Sequence, residues 1–160
     1  MFDTQLTALA ESAARKLRER LETIAVAESS CGGLISASLL SIPGASAYYV
    51  GGTVTYTRVA NQAFLAGAVA VPPGLRAETE EHALYLAHAA AAKLETTWAI
   101  GESGAAGPTG AYDNPPGHVW VAVTGATEST RHLLTGSEDR AANMVAFAAA
   151  ALGLLTECLD

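Results

Sequence analysis

Ser29, in the run Ala27-Glu28-Ser29-Ser30-Cys31-Gly32-Gly33, is the residue of this chain best placed to do chemistry. A strand-like apolar stretch precedes the run and a helix-like one follows it. A serine at such a junction can expose its hydroxyl in a cleft, and the free N–H groups of a first helical turn, here around Cys31 to Gly33, can hold an oxyanion or a phosphate. The same residues also make an ordinary helix cap. A serine nucleophile needs a base, and the only lysines, Lys16 and Lys93, fall on expected outer helices. Glu28 reads as a carboxylate that orients a ligand or serves as a base, or as a structural group accepting N–H bonds from a neighbouring loop. Cys31 reads as a thiolate at a helix start or as a small buried thiol. His118, just before a strand, supplies a base only if its loop folds over Ser29.

A second run, Gly104-Ala105-Ala106-Gly107-Pro108-Thr109-Gly110, has the composition of an anion-binding nest, although glycine also serves plain turns. No metal pattern accompanies these runs. His82, His88, His118 and His132 share no ligand spacing and read as satisfied or exposed, and Cys31 and Cys158 form neither a Cys-x-x-Cys nor a disulfide framework. No metal and no cofactor are expected.

The elements that position these runs follow from periodicity. Leu6, Leu9, Ala10, Ala13, Ala14, Leu17 and Leu21 recur at helical spacing over Thr4 to Arg20. Thr23 to Ala27 reads as a strand, and Ser29 to Leu40 as a helix stopped by Pro43-Gly44. A second strand is placed at Thr53 to Thr57, and a short helix at Val59 to Leu65. After the Pro72-Pro73-Gly74 break comes a long helix from Ala77 to Leu94, with Leu84, Ala87, Ala91 and Leu94 on its inner face. Strands at Thr97 to Gly101 and His118 to Val123 flank the glycine-rich loop of residues 104 to 117, and Glu128 to Leu134 pairs with the latter as a hairpin. A helix from about Glu138 to Leu159, capped by Ser137, ends the chain with Met144, Ala148, Ala151, Leu152 and Leu155 inward.

This alternation predicts a single domain over residues 1–160, an α/β fold with three layers: a mostly parallel sheet carrying an antiparallel strand, covered by helices on both faces. Ligands in such sheets sit beyond the carboxyl ends of the strands, where the loops at Ser29, after Tyr56 and over 104 to 117 converge. The formal net charge of −7 and the scattered arginines exclude a phosphate-backbone partner. No window approaches about 18 uninterrupted strongly apolar residues, and Met1-Phe2-Asp3-Thr4 is no charged lead into a hydrophobic run. A cytoplasmic protein with neither a nucleic-acid nor a membrane partner is expected. Half the residues are hydrophobic and only 16% charged, so the alanine-rich helices suggest a homo-oligomer, dimer or higher.

In order and spacing the runs resemble the C-terminal domain family of the competence/damage-inducible protein CinA, which also occurs as a stand-alone nicotinamide-nucleotide amidohydrolase. The family's Ala-Glu-Ser-Cys-Thr-Gly-Gly is matched by Ala27 to Gly33, its Pro-Gly-Ser-Ser-like turn by Pro43 to Ser46, and its Tyr-Ser-Asn-Glu-Ala-Lys by Tyr56 to Asn61. Its Ser-Gly-Ile-Ala-Gly-Pro-Asp-Gly loop is met by Ser103 to Gly110, its Lys-Pro-Val-Gly-Thr-Val by Asn114 to Val119, and its Gly-Asp-Arg by the looser Gly136 to Arg140. The resemblance implies conversion of nicotinamide mononucleotide to nicotinic acid mononucleotide and ammonia, with Ser29 as nucleophile and Tyr56 nearby. It implies a small-molecule nucleotide held by Glu28, Ser30, Cys31, Gly32, Gly33, Arg58, Gly104, Ala105, Ala106, Gly107 and Thr109. The sequence departs from the family at the lysine, whose position is Asn61, a side chain with no titratable amine. Arg58, at the family's asparagine position, stays protonated and suits a phosphate instead. Ser30, Cys31, Thr109 and Asn114 also depart from the pattern. The expectation is therefore an impaired or altered amidohydrolase; the alternatives are a catalytically silent nucleotide-binding or regulatory module, or an assembly domain.

Overall fold

The structure, a computed structural model, describes residues 3–160; Met1 and Phe2, and the reading of the N-terminal lead that includes them, lie outside the described residues. Five strands form one sheet in the order β2-β1-β3-β4-β5. They are β1 (Ile24–Glu28), β2 (Tyr49–Val54), β3 (Trp98–Ala105), β4 (His118–Thr124) and β5 (Glu128–Leu134). β1 runs parallel to both β2 and β3, whereas β4 is antiparallel to both its neighbours, so four strands point one way and β4 alone points back. This is the expected mostly parallel sheet with one antiparallel strand. Helices α1 (Thr4–Arg20), α2 (Leu34–Leu40) and α5 (Arg140–Cys158) cover one face, and α4 (Glu80–Leu94) with the short α3 (Arg58–Leu65) covers the other.

β1 is buried along its whole length because both sheet faces are covered, and alternation divides its side chains between two cores. Ile24 and Val26 join α1, α2 and α5, while Ala25 and Ala27 join α4. The alanines are small for a reason. The α4 backbone lies so close that a Cβ on Gly101, the β3 partner of Ala27, would overlap the carbonyl oxygen of Ala83. Close approach of a helix to its sheet thus depends on one residue without a side chain.

Several boundaries differ from the periodicity reading. The helix expected from Ser29 starts only at Leu34, because Gly32 and Gly33 take φ of 63° and 100°, a left-handed turn that separates Ser29 from the helix. β2 begins at Tyr49 and ends at Val54, earlier than expected, since Thr57 caps α3 through its hydroxyl. β3 continues four residues past Gly101, which places Gly104 and Ala105 in the ladder opposite Val119 and His118.

Of the expected inner face of α4, Ala87 is buried and Leu84 and Ala91 are half-buried against the core, while Leu94 is exposed and Ala83, Leu86 and Ala90 complete the buried face. Leu21 is 90% exposed, since it is the left-handed cap that ends α1 rather than part of its stripe. The cap of α5 is Asp139, whose Oδ1 accepts the Ala142 N–H at 3.0 Å, not Ser137. α5 is long and apolar enough by composition to cross a membrane, contrary to the run-length reading, but it lies against β4, β5 and α1 with Phe147, Ala148, Ala151, Leu152 and Leu155 in the core.

The close helix approach has a direct test. Gly101→Ala is expected to lower unfolding stability by about 3 kcal/mol, whereas Gly136→Ala, at φ 70° in open space, is expected to cost about 1 kcal/mol through backbone strain alone. Urea denaturation of the two variants distinguishes these effects.

Candidate functional site

The turn from Ser29 to Gly33 is held by two buried carboxylates that approach it from the α2 side of the sheet. Glu28, the last residue of β1, accepts the backbone N–H groups of Gly33 at 2.9 Å, Ile35 at 3.1 Å and Ser36 at 2.9 Å, and the Ser36 hydroxyl at 2.6 Å. Glu102 of β3 accepts those of Ser29 at 2.9 Å, Ser30 at 3.2 Å and Cys31 at 2.8 Å, and also the Ser30 hydroxyl. The Gly32 N–H donates to the Ser29 carbonyl at 3.2 Å. Every amide from Ser29 to Gly33 is therefore already spent. The sequence reading left these amides free for an oxyanion, and that expectation is corrected: the donors exist, but two side chains of the same protein use them.

Burial raises the pKa of Glu28, opposed by its bonds from Ser36 and Ile35 and reinforced by the nearby Glu102 charge. Glu28 is the structural carboxylate of the two readings, fully buried and turned away from any ligand. Burial, aided by the charges of Glu102 and Glu28, lifts the Cys31 thiol well above its ordinary range, so Cys31 is a packed thiol and not a thiolate. Ser30 is likewise buried, on Glu102.

Ser29 itself opens to the opposite, α4 side. Its hydroxyl makes no hydrogen bond within the described residues, and it lines a cavity of about 490 Å³ at the carboxyl ends of β1 and β2. Thr55, Tyr56, Arg58 and Asn61 line the same cavity with Leu75, Arg76, His82, Tyr85 and Tyr112. No lysine is among them: Lys16 bonds the Thr156 carbonyl at the far end of α5, and Lys93 is exposed at the end of α4. Asn61, at the family lysine's position, faces the Tyr85 hydroxyl through Oδ1 at 3.5 Å, and its Nδ2 is buried without a partner. An unpaired enclosed amide is a donor in want of an acceptor. Arg58 and Arg76 form no ion pair among the described residues, which leaves two cations for an anionic group.

The glycine-rich segment enters the cavity only through Tyr112. Gly104, Ala105, Ala106, Gly107 and Thr109 do not line it. Gly104 and Ala105 are committed to β4, the carbonyls of Ala106 and Gly107 accept Asn143 Nδ2 at 2.8 Å and Arg140 at 2.7 Å, and Thr109 is exposed. Gly32 and Gly33 shape the turn from outside the cavity. His118 does not reach Ser29, being buried between the Glu78 carbonyl and His132.

Three residues of consequence were not singled out from the sequence. Glu102 was hidden because a lone carboxylate inside a strand carries no spacing signal. Arg140, the first residue of α5, donates to the Tyr56 hydroxyl at 3.0 Å and covers the Tyr56 ring at 5.9 Å, so it positions that hydroxyl. His82, in the first turn of α4, was read only as satisfied or exposed; it lines the same cavity as Ser29.

A cavity beyond the carboxyl ends of parallel strands, lined by a serine that follows one of them, defines an α/β domain with a cleft where sheets of this kind place small ligands. The CinA C-terminal domain model matches residues 6–159, and the chain belongs to that family. It is 40% identical to a CinA-like protein of Salinibacter ruber over 139 residues, 85% of this chain and 33% of that protein. Over 148 residues it is 33% identical to a CinA-like protein of Myxococcus xanthus, covering 88% and 34%. The chain thus spans about a third of the length of these curated relatives. The fold is similar to that of the competence/damage inducible protein CihA of Agrobacterium tumefaciens, with a TM-score of 0.83, 28% identity, and 99% and 98% of the two chains covered. It is similar also to the competence damage-inducible protein A of Klebsiella pneumoniae, at 0.85, 28%, and 96% of each chain.

The two carboxylates predict a contrast in stability. Glu28→Gln and Glu102→Gln each put an amide donor against backbone donors and are expected to lower unfolding stability by about 2–4 kcal/mol. Ser29→Ala removes a hydroxyl that bonds nothing and is expected to change it by less than about 0.5 kcal/mol. Equilibrium urea titrations measure all three.

Proposed function

We propose that the domain binds a phosphate-bearing pyridine nucleotide in the Ser29 cavity and hydrolyses its carboxamide slowly, through an acyl-enzyme on Ser29. The observation that carries this reading is the unbonded Ser29 hydroxyl sharing one cavity with Tyr56, Asn61 and the unpaired guanidiniums of Arg58 and Arg76. Ser29 Oγ attacks the carboxamide carbon, ammonia leaves, and water releases nicotinic acid mononucleotide. Arg58 and Arg76 pair with the phosphate, and the enclosed Asn61 amide offers its hydrogen to a ligand acceptor. The rate is low for two reasons. Asn61 cannot take a proton, a loss worth about two to four powers of ten, and the amides of the Ser29 turn are not available to an oxyanion. Such a ligand belongs to the soluble nucleotide pool, which agrees with a cytoplasmic protein.

The engagement of those amides by Glu28 and Glu102 favours a second reading, a nucleotide-binding module without turnover. We also propose that copies of the domain associate. Most of the alanines of α4 are spent in its own core, so the surface offered is the exposed Val50 and Val54 of edge strand β2 with Leu94.

Ammonia release from nicotinamide mononucleotide decides between the first two. The slow enzyme gives a signal that Ser29→Ala abolishes and Asn61→Lys raises, and Arg58→Ala weakens nucleotide binding about tenfold. Calorimetric binding with no serine-dependent ammonia supports the silent module. Neither binding nor ammonia at millimolar nucleotide rejects both.

A further inference from the structure

We infer that the cavity selects an acid over an amide: its preferred ligand is a mononucleotide whose ring bears a carboxylate, nicotinic acid mononucleotide before nicotinamide mononucleotide, with His82 Nε2–H as the donor that recognises the carboxylate. The inference rests on the reading of the cavity as a pyridine-nucleotide site, and it does not depend on whether Ser29 turns the ligand over.

The hydroxyl of Ser103 sets the tautomer of His82. Ser103 is buried, and its Oγ accepts the Glu78 N–H at 2.8 Å and lies 2.7 Å from His82 Nδ1. No other hydrogen bond reaches Ser103 Oγ among the described residues, so its own hydrogen goes to Nδ1 and the neutral ring carries its hydrogen on Nε2. An imidazolium would place hydrogens on both nitrogens and leave the buried serine hydroxyl with nothing to donate to. Burial pushes the pKa of His82 down to about 4, which likewise keeps the ring neutral. Nε2 has no partner among the described residues and is not enclosed, on a side chain that lines the cavity. It is therefore a donor of fixed polarity, locked from behind by Ser103.

The rest of the lining has the same polarity. Arg58 and Arg76 only donate, and neither forms an ion pair among the described residues. Asn61 turns its acceptor Oδ1 to the Tyr85 hydroxyl at 3.5 Å. No aspartate or glutamate lines the cavity. A carboxylate only accepts hydrogen bonds, whereas a carboxamide also brings two N–H groups that need acceptors, and among the lining side chains only hydroxyls and the exposed Gln62 are left to receive them. Charge points the same way, since exchanging the carboxamide for a carboxylate adds a negative charge where the guanidiniums have none to pair with. The positive ring nitrogen is common to both ligands and meets the phenols of Tyr56, Tyr85 and Tyr112, so it does not discriminate. A site that holds the acid more tightly retains the product of amide hydrolysis, which agrees with slow turnover and equally with a binding module.

The test is calorimetric titration of the whole chain with the two mononucleotides at near-neutral pH and fixed salt. Nicotinic acid mononucleotide is expected to bind about tenfold tighter or more than nicotinamide mononucleotide. His82→Phe keeps a ring but removes the donor, and should reduce the preference to about threefold or less. His82→Gln, whose side-chain amide again offers an N–H, should recover part of it, which a purely structural role would not give. Ring-nitrogen NMR of the free wild-type protein reads the tautomer without any variant: hydrogen on Nε2 and a bare Nδ1 are expected, and the reverse overturns the inference. Equal or tighter binding of the amide also overturns it, as does a preference for the acid that survives intact in a folded His82→Phe, and both leave the nucleotide site standing. If neither mononucleotide binds at millimolar concentration, the nucleotide reading itself fails and the inference falls with it.

Discussion

Two buried carboxylates, Glu28 and Glu102, hold the turn on which the site is built. Between them they accept the main-chain N–H groups of Ser29, Ser30, Cys31, Gly33, Ile35 and Ser36. Two like charges in a core are unfavourable unless hydrogen bonds replace the lost water, and here each carboxylate has four donors. The turn and the carboxylates thus require each other: without the acids, the amides of a left-handed turn would be buried unpaired, and without the amides, the acids would be buried bare. The cost shows in Glu28, which burial makes a weaker acid despite its bonds.

Strand alternation converts this fixed turn into a site. Glu28 and Glu102 point to the face covered by α1, α2 and α5, while Ser29 and Ser103 follow the positions that face α4. The carboxylates that hold the turn and the serine that lines the cavity therefore sit on opposite sides of the sheet, in separate environments. The α4 face gains a half-buried imidazole, three phenols and two guanidiniums around the Ser29 hydroxyl. The other face contributes rigidity only. Relative to the family pattern, position 61 carries an amide in place of an amine, and the cavity keeps polar side chains around Ser29.

Much of this was legible in the sequence. Alternating strands and helices gave the layers, the reversed strand and the family, since hydrophobic period and the order of glycine-rich runs are local properties. Ser29, Tyr56, Arg58 and Asn61 were found because motif spacing places them on two loops at one end of the sheet. The misplaced groups share a cause. Whether an N–H is free depends on what approaches it in space, and Glu102, 71 to 73 residues from the amides it accepts, gives no local sign of doing so. The Gly104 to Thr109 run was read as a nest because its composition suits one, but its first two residues pair with β4 and its carbonyls serve α5. His82 was passed over since its relation to Ser103 exists only once α4 lies on β3.

The central claim, that the amides of the Ser29 turn are held by carboxylates and not open to a ligand, is tested most directly by residue-resolved amide hydrogen exchange in the free protein. The account predicts that Ser29, Ser30 and Cys31 exchange as slowly as the paired amides of β1 and β3, and that saturating nucleotide leaves them unchanged. Exchange of those three amides at the rate of an unstructured chain, slowed only when nucleotide is added, would contradict it.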